Sequence, residues 1–175
     1  MPDIEISEGR IRFLFEAVDF AEKYDDWAYY RNRYQSACGS SKGVDFVVLK
    51  DKTVWLIEIK DFRGRRRSKA IDLAEEIAIK VRDTMSGILS CRFLSLDPNE
   101  LHCAKQVVTS EKLRVVVHVE QPANPSRLFP RVINPAVFKL KLKQILKFAD
   151  HHPLLVDLNS FPAVLGRADS ISGVS

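Results

Sequence analysis

Cysteine is scarce in this chain, and nothing is organised around it. Cys38, Cys91 and Cys103 are an odd number without a CxxC pair or a Cys/His ligand spacing, which argues against both a disulfide framework and a zinc cluster. Reduced thiols in or near the core are expected. The histidines His102, His118, His151 and His152 fit no ligand spacing either, and none is assigned to chemistry. Long apolar runs are missing too: no uncharged stretch approaches the roughly 20 residues that span a bilayer, which excludes a membrane partner of that kind. The opening MPDIEISEGR lacks the basic start and apolar segment of a secretory signal, so a cytoplasmic location is expected. Repeats and low-complexity linkers are also absent. What remains is 175 residues, 46% of them hydrophobic, enough for one core. A single domain over residues 1–167 is expected, with the small polar residues 168–175 as a flexible tail.

Charge is present but unevenly spread. The net charge is +4, and KDFRGRRRSK (60–69) sets Lys60, Arg63, Arg65, Arg66, Arg67 and Lys69 against Asp61 alone, a local +5 that leaves −1 for the rest. Such a block is commonly a solvated loop; the alternative is a phosphate-binding patch. Lys139, Lys143 and Lys147 recur every four residues. They read as a solvated helix face or, alternatively, as a second contact with a nucleic-acid backbone.

RIRFLFEAVDFAEKY (10–24) places Ile11, Leu14, Phe15 and Val18 at helical spacing and predicts a first helix, although RIRFLF also suits a strand. The aromatic WAYYRNRY (27–34) predicts a strand, with Tyr29, Tyr30 and Tyr34 in the core rather than stacked on bases. Strands are expected over 43–50 and 53–62, a helix over 70–89, a shorter helix over 99–108 and a strand over 113–120. A helix over 134–149 has Asn134 as cap and Pro135 at its first position, and a last strand follows over 153–158. Glu75, Glu76 and Lys80 read as ordinary pairing on a helix surface. The fold class is α/β, a central mixed sheet flanked by α-helices.

GVDFVVLKDKTVWLIEIKDFR (43–63) is apolar except at Asp45, Glu58 and Lys60. A hairpin turning at Asp51-Lys52 sets Asp45 opposite Glu58, with side chains on one face. Period-2 alternation adds Lys60 to that face. Two partly desolvated carboxylates repel unless a cation or a proton compensates. Lys60 could do so as a structural ion pair; alternatively the two hard oxygen ligands could hold Mg2+.

The order Asp45, Glu58-Ile59-Lys60 resembles the signature of the PD-(D/E)xK nuclease superfamily, which includes restriction endonucleases and archaeal-type Holliday junction resolvases. The resemblance covers residues 10 to about 90 and implies a restriction endonuclease-like core. It implies a metal-dependent endonuclease that hydrolyses phosphodiester bonds, most naturally in DNA, in repair, recombination, restriction or mobile-element traffic. Asp45, Glu58 and the carbonyl of Ile59 would bind Mg2+, with Mn2+ as substitute, and Lys60 would orient or deprotonate the attacking water. Glu16, or else Glu22, would be the helix carboxylate. Arg63, Arg65, Arg66, Arg67 and Lys69 would hold the DNA backbone, and a resolvase would need a homodimer. The alternative is a nucleic-acid-binding or regulatory protein that keeps this fold without hydrolysis.

Overall fold

The computed structural model describes residues 1–64 and 67–171. Within them the chain order is β1 (Ile4–Glu8), β2 (Ile11–Phe15), β3 (Phe20–Lys23), β4 (Phe46–Lys50), β5 (Thr53–Asp61), α1 (Leu73–Leu94), α2 (Pro98–Val108), β6 (Lys112–Glu120), α3 (Pro135–Ile145), β7 (Leu154–Val156) and β8 (Gly166–Ser170). The strands form a five-stranded sheet, β3-β4-β5-β6-β7, and a three-stranded sheet, β1-β2-β8. In the larger sheet β3, β4 and β5 run antiparallel, whereas β5, β6 and β7 are parallel. The mixed α/β class is the one that the alternation of strand and helix patterns predicts, but helices flank only one face of the central sheet, and the three-stranded sheet takes the other face where helices were expected.

Both faces of the larger sheet are covered, which explains why β4, β5 and β6 are apolar at almost every position. Val47, Leu49, Val54, Leu56, Val115 and Val117 pack against helices through Ile77, Val81, Ile88 and Leu142. On the opposite face Phe46, Val48, Trp55, Ile57 and Val116 meet Ile11, Phe13 and Phe15 of the smaller sheet. Phe13 crosses Phe46 edge to face at 5.3 Å between ring centroids, a geometry aromatic pairs prefer. The β4–β5 hairpin turns where the sequence places it: Lys50 pairs with Thr53, and Asp51 and Lys52 have φ of 49° and 57°. Two left-handed residues are what a two-residue hairpin turn of matching twist requires.

The N-terminal elements differ from expectation. Residues 10–24 are strands β2 and β3, not a helix, because Ile11, Phe13 and Phe15 are fully buried while Arg12 between them is exposed. Period 2 therefore overrides the coincidental helical spacing. The expected strand at 27–34 is a π-helical turn, Tyr30–Tyr34. The buried Glu100 of α2 reaches across to accept the backbone N–H groups of Ala28 and Tyr29, so helical N–H groups that need acceptors find one distant in sequence. Tyr29 and Tyr30 are core residues. The expected tail is in part a strand, since Ala168 pairs with Phe13 and Ser170 with Ile11; residues 172–175 lie outside the described residues. Cys91 and Cys103 are buried and Cys38 is exposed. Among the described residues no helix is long and apolar enough to cross a membrane.

Helix α1 approaches closely enough to demand glycine at 87, where an added Cβ would strike the hydroxyl of the fully buried Tyr24 and come within 3.0 Å of the Tyr34 ring. Gly87→Ala is expected to destabilise by about 1–3 kcal/mol through overpacking, despite the roughly 1 kcal/mol that alanine gains in a helix interior. A urea melt reads the sign, and stabilisation would show that the helix can retreat.

Candidate functional site

Asp45 immediately precedes β4, and its N–H donates to Ile57 O at 3.1 Å. The register Phe46↔Ile57 extends to set Asp45 opposite Glu58, on the face of the sheet that looks at α1. Side chains of α1 clamp this entrance: Thr84 Oγ1 accepts the Val44 N–H at 2.9 Å, and Asp83 accepts the Lys42 N–H at 2.9 Å. One turn closer to its start, α1 delivers Lys80 and Glu76. The sequence-predicted trio Asp45, Glu58 and Lys60 is thus brought together, but inside a five-membered ionic cluster completed by a helix.

The Glu58 side chain has no exposed surface. Lys60 Nζ lies 2.6 Å and Lys80 Nζ 2.7 Å from its Oε1, and Lys80 donates to its Oε2 at 2.9 Å. Both contacts to Oε1 are ion pairs without hydrogen-bond alignment, leaving that atom short of a directed donor. Asp45 Oδ2 accepts the Ile59 N–H at 2.6 Å, and its Oδ1 stands 3.5 Å from Lys80 Nζ. Glu76, also without exposed side-chain surface, gathers Lys69 at 2.6 Å, Arg67 at 2.8 Å and Lys60 at 3.4 Å. Arg67 also donates to Ile71 O at 2.5 Å, which braces it.

Burial, and then the neighbouring charge of Glu58, push the Asp45 carboxyl up to about 7 against the partial relief of Lys80 and the Ile59 N–H. Burial pulls Lys80 down, yet the charges of Glu58 and Asp45 outweigh it and hold the ammonium well above its ordinary range. At Glu76 burial is overcome by hydrogen bonds from Lys69 and Arg67, which lower its carboxyl to about 2. Acids with pKa values pushed apart in this way mark a tuned environment.

A cleft of about 370 Å³ opens above the cluster, bounded by Arg10, Asp45, Lys60, Arg67, Lys69 and Glu76 among others. At its rim Asp61 is held below the usual carboxylate range: burial raises it, but Arg63 and Arg10 more than compensate. The Arg63 guanidinium donates twice to Asp61 and once to Ser170 Oγ, and the Arg63 N–H adds a third bond to Asp61. Arg65 and Arg66 lie outside the described residues.

The ammonium of Lys80 stands between the two carboxylates, where a divalent ion bridging them would need to be. Among the described residues no group of three or more His, Cys, Asp or Glu side chains gathers to hold a metal. Glu16 follows β2 rather than lying on a helix, and its exposed carboxylate points to Arg167 at 3.4 Å. Glu22 lies on β3, where it accepts from Cys103 Sγ at 3.7 Å. Neither reaches the cluster, because the segment meant to be a helix is a pair of strands.

Glu76 and Lys80 are not surface partners of one another, as their i,i+4 spacing suggested: the buried Glu76 and the partly buried Lys80 both reach side chains of β5. A signal for this exists in the chain: Leu73, Glu76, Lys80, Thr84 and Gly87 recur at three and four, continuing the face that packs on the sheet. His118 is an interior residue, its Nε2 2.9 Å from Glu120.

No family model and no solved structure matches the chain. Among curated proteins it is similar to a cysteine–tRNA ligase of Neisseria meningitidis serogroup A / serotype 4A (strain DSM 15465 / Z2491), 28% identical over an alignment of 176 residues that covers 81% of this chain and 25% of that protein. This finding overturns the resemblance to PD-(D/E)xK nucleases and, with it, the reading as an endonuclease acting on DNA. A three-residue signature on a hairpin is outweighed by likeness along four fifths of the chain. The chain spans about a quarter of the length of that relative and is similar to that part of it.

Proposed function

We propose that this chain is an RNA-binding module for tRNA-type RNA, holding phosphates in the cleft above the ionic cluster. The observation that carries the reading is the charge of the network around the cleft. Four cationic side chains (Lys60, Arg67, Lys69, Lys80) are joined by ion pairs to three carboxylates (Asp45, Glu58, Glu76), a net +1, and at the rim Arg10 and Arg63 share Asp61, a further net +1. The likeness to a tRNA ligase supports RNA as the polyanion. Because only a quarter of that enzyme is matched, aminoacylation is not ascribed to this chain.

The cluster acts as a foundation for the cations rather than as chemistry. Glu76 pre-positions Lys60, Arg67 and Lys69, so less side-chain freedom is lost when a phosphate arrives. Lys69 and Arg10 keep about half of their side-chain surface exposed, 57% and 44%, and make the direct contacts. Such contacts fix position and do not read sequence.

Filter binding of a tRNA transcript across a salt series tests this. Binding is expected to weaken steeply with salt, and Arg10→Gln and Lys69→Gln are each expected to lower the slope of log K against log[salt] by about one. Wild-type protein that leaves tRNA free at low salt, or a double variant with an unchanged slope, overturns the reading.

A further inference from the structure

The cleft above the ionic cluster is one end of a longer groove. Arg67 and Lys69 line both that cleft and a second depression of about 450 Å³, whose other wall is Pro130, Arg131 and Val132. Arg131 in turn lines a third depression of about 660 Å³ beside the carboxyl ends of β6 and β7, together with Lys139 of α3. The carboxyl end of parallel strands is where open α/β sheets commonly bind ligands. Cations occur along the whole course, and carboxylates along it are occupied by the protein itself. Glu120 Oε1 is engaged by His118 Nε2 at 2.9 Å and by the Leu158 N–H at 2.8 Å. Asp157 Oδ1 accepts from the N–H groups of Asn159 and Ser160 and from Ser160 Oγ. Arg131 and Lys139 are exposed, and among the described residues neither has a carboxylate partner.

We propose that a single RNA strand runs the length of this groove, its phosphates passing from Lys69 and Arg67 to Arg131 and Lys139. The inference rests on the RNA-binding reading and deepens it by naming the path and the form of the RNA. A phosphate chain suits this path because Arg131 and Lys139 are exposed and have no carboxylate partner among the described residues, while Glu120 and Asp157 are turned to donors of the protein itself. The walls between the cations select a single strand. Pro122, Pro130, Ile133 and Leu155 offer apolar surface that an unpaired base or a sugar covers and that a duplex, presenting only phosphates, leaves bare. The amino end of α3 contributes little, because the Ala136 and Val137 N–H groups already bond to Asn134 Oδ1.

The test uses the full chain and fluorescently labelled single-stranded RNA oligonucleotides of increasing length, read by anisotropy across a salt series. Arg131→Gln/Lys139→Gln is compared with Lys69→Gln. The double variant is expected to lower the salt slope by about two for the longer oligonucleotides and to leave the shortest bound ones unchanged, with its circular dichroism identical to wild type. If the double variant keeps the wild-type slope at every length while Lys69→Gln weakens binding, the extended path falls and the RNA-binding reading stands. A duplex RNA that competes as strongly as a single strand overturns the single-strand assignment. Wild-type protein that binds no RNA removes both.

Discussion

Replacing Lys80 with Met is expected to cost about 3–5 kcal/mol of folding stability, the loss seen when one partner of a buried ion pair is removed and the other stays. The ammonium is the shared counterion of Glu58, at 2.7 Å, and of Asp45, at 3.5 Å, and the Glu58 carboxylate has no surface through which water could replace it. Lys60 remains, but it also serves Glu76 at 3.4 Å. Urea melts of Lys80→Met, of Glu58→Gln and of the double variant separate the contributions. The double variant is expected to be more stable than Lys80→Met alone, because the uncompensated charge goes with its partner. A Lys80→Met protein as stable as wild type would mean that Lys60 alone neutralises the pair and that α1 brings no essential charge to the sheet.

Asp45 is expected to make the protein less stable as pH rises from about 4 to about 7. Its carboxyl titrates at about 7 in the fold against an ordinary 3.8. Between those values the folded chain holds a proton that the unfolded chain has released. Raising the pH therefore disfavours folding by about 1.4 kcal/mol per unit, to a limit of about 4 kcal/mol above pH 7. Glu76 works in the opposite sense: with its carboxyl lowered to about 2 from 4.5, it contributes stability that is present above about 4.5 and lost as pH falls toward 2. Asp45→Asn is expected to flatten the stability profile between pH 4 and 7 and to be the more stable protein at pH 8. Denaturant midpoints across that range decide it. A variant that retains the wild-type slope would place the titration on another group.

Local pattern made the hairpin readable, and it did so quantitatively. The register that pairs residues summing to 103 follows from alternation and from a two-residue turn, and Lys50↔Thr53 and Phe46↔Ile57 obey it. Helices α2 and α3 were legible for a similar reason, since Pro98 and the Asn134-Pro135 pair announce their starts. The first strands were not. Ile11, Leu14, Phe15 and Val18 satisfy a helical spacing as well as Ile11, Phe13 and Phe15 satisfy a strand. Only the partner strand β8, 155 residues downstream at Gly166↔Phe15 to Ser170↔Ile11, selects between them. The nuclease reading was overturned by the likeness to a cysteine–tRNA ligase along four fifths of the chain. Asp45, Glu58 and Lys60 do share a face, but three residues on a hairpin say nothing about what the opposing layer supplies, and here it supplies Lys80.

The sequence by itself determined the alternation of strands and helices, the hairpin register, the convergence of two carboxylates with Lys60, and the basic run that follows them. Each depends on residues within a few positions of one another, where covalent spacing dictates geometry. Packing between elements set which face α1 lays on the sheet, and so brought the Lys80 ammonium between Asp45 and Glu58. It also decided that Arg67 and Arg131 share one groove. Those outcomes depend on packing between elements far apart in the chain, and the burial energy of whole layers sets them rather than any motif.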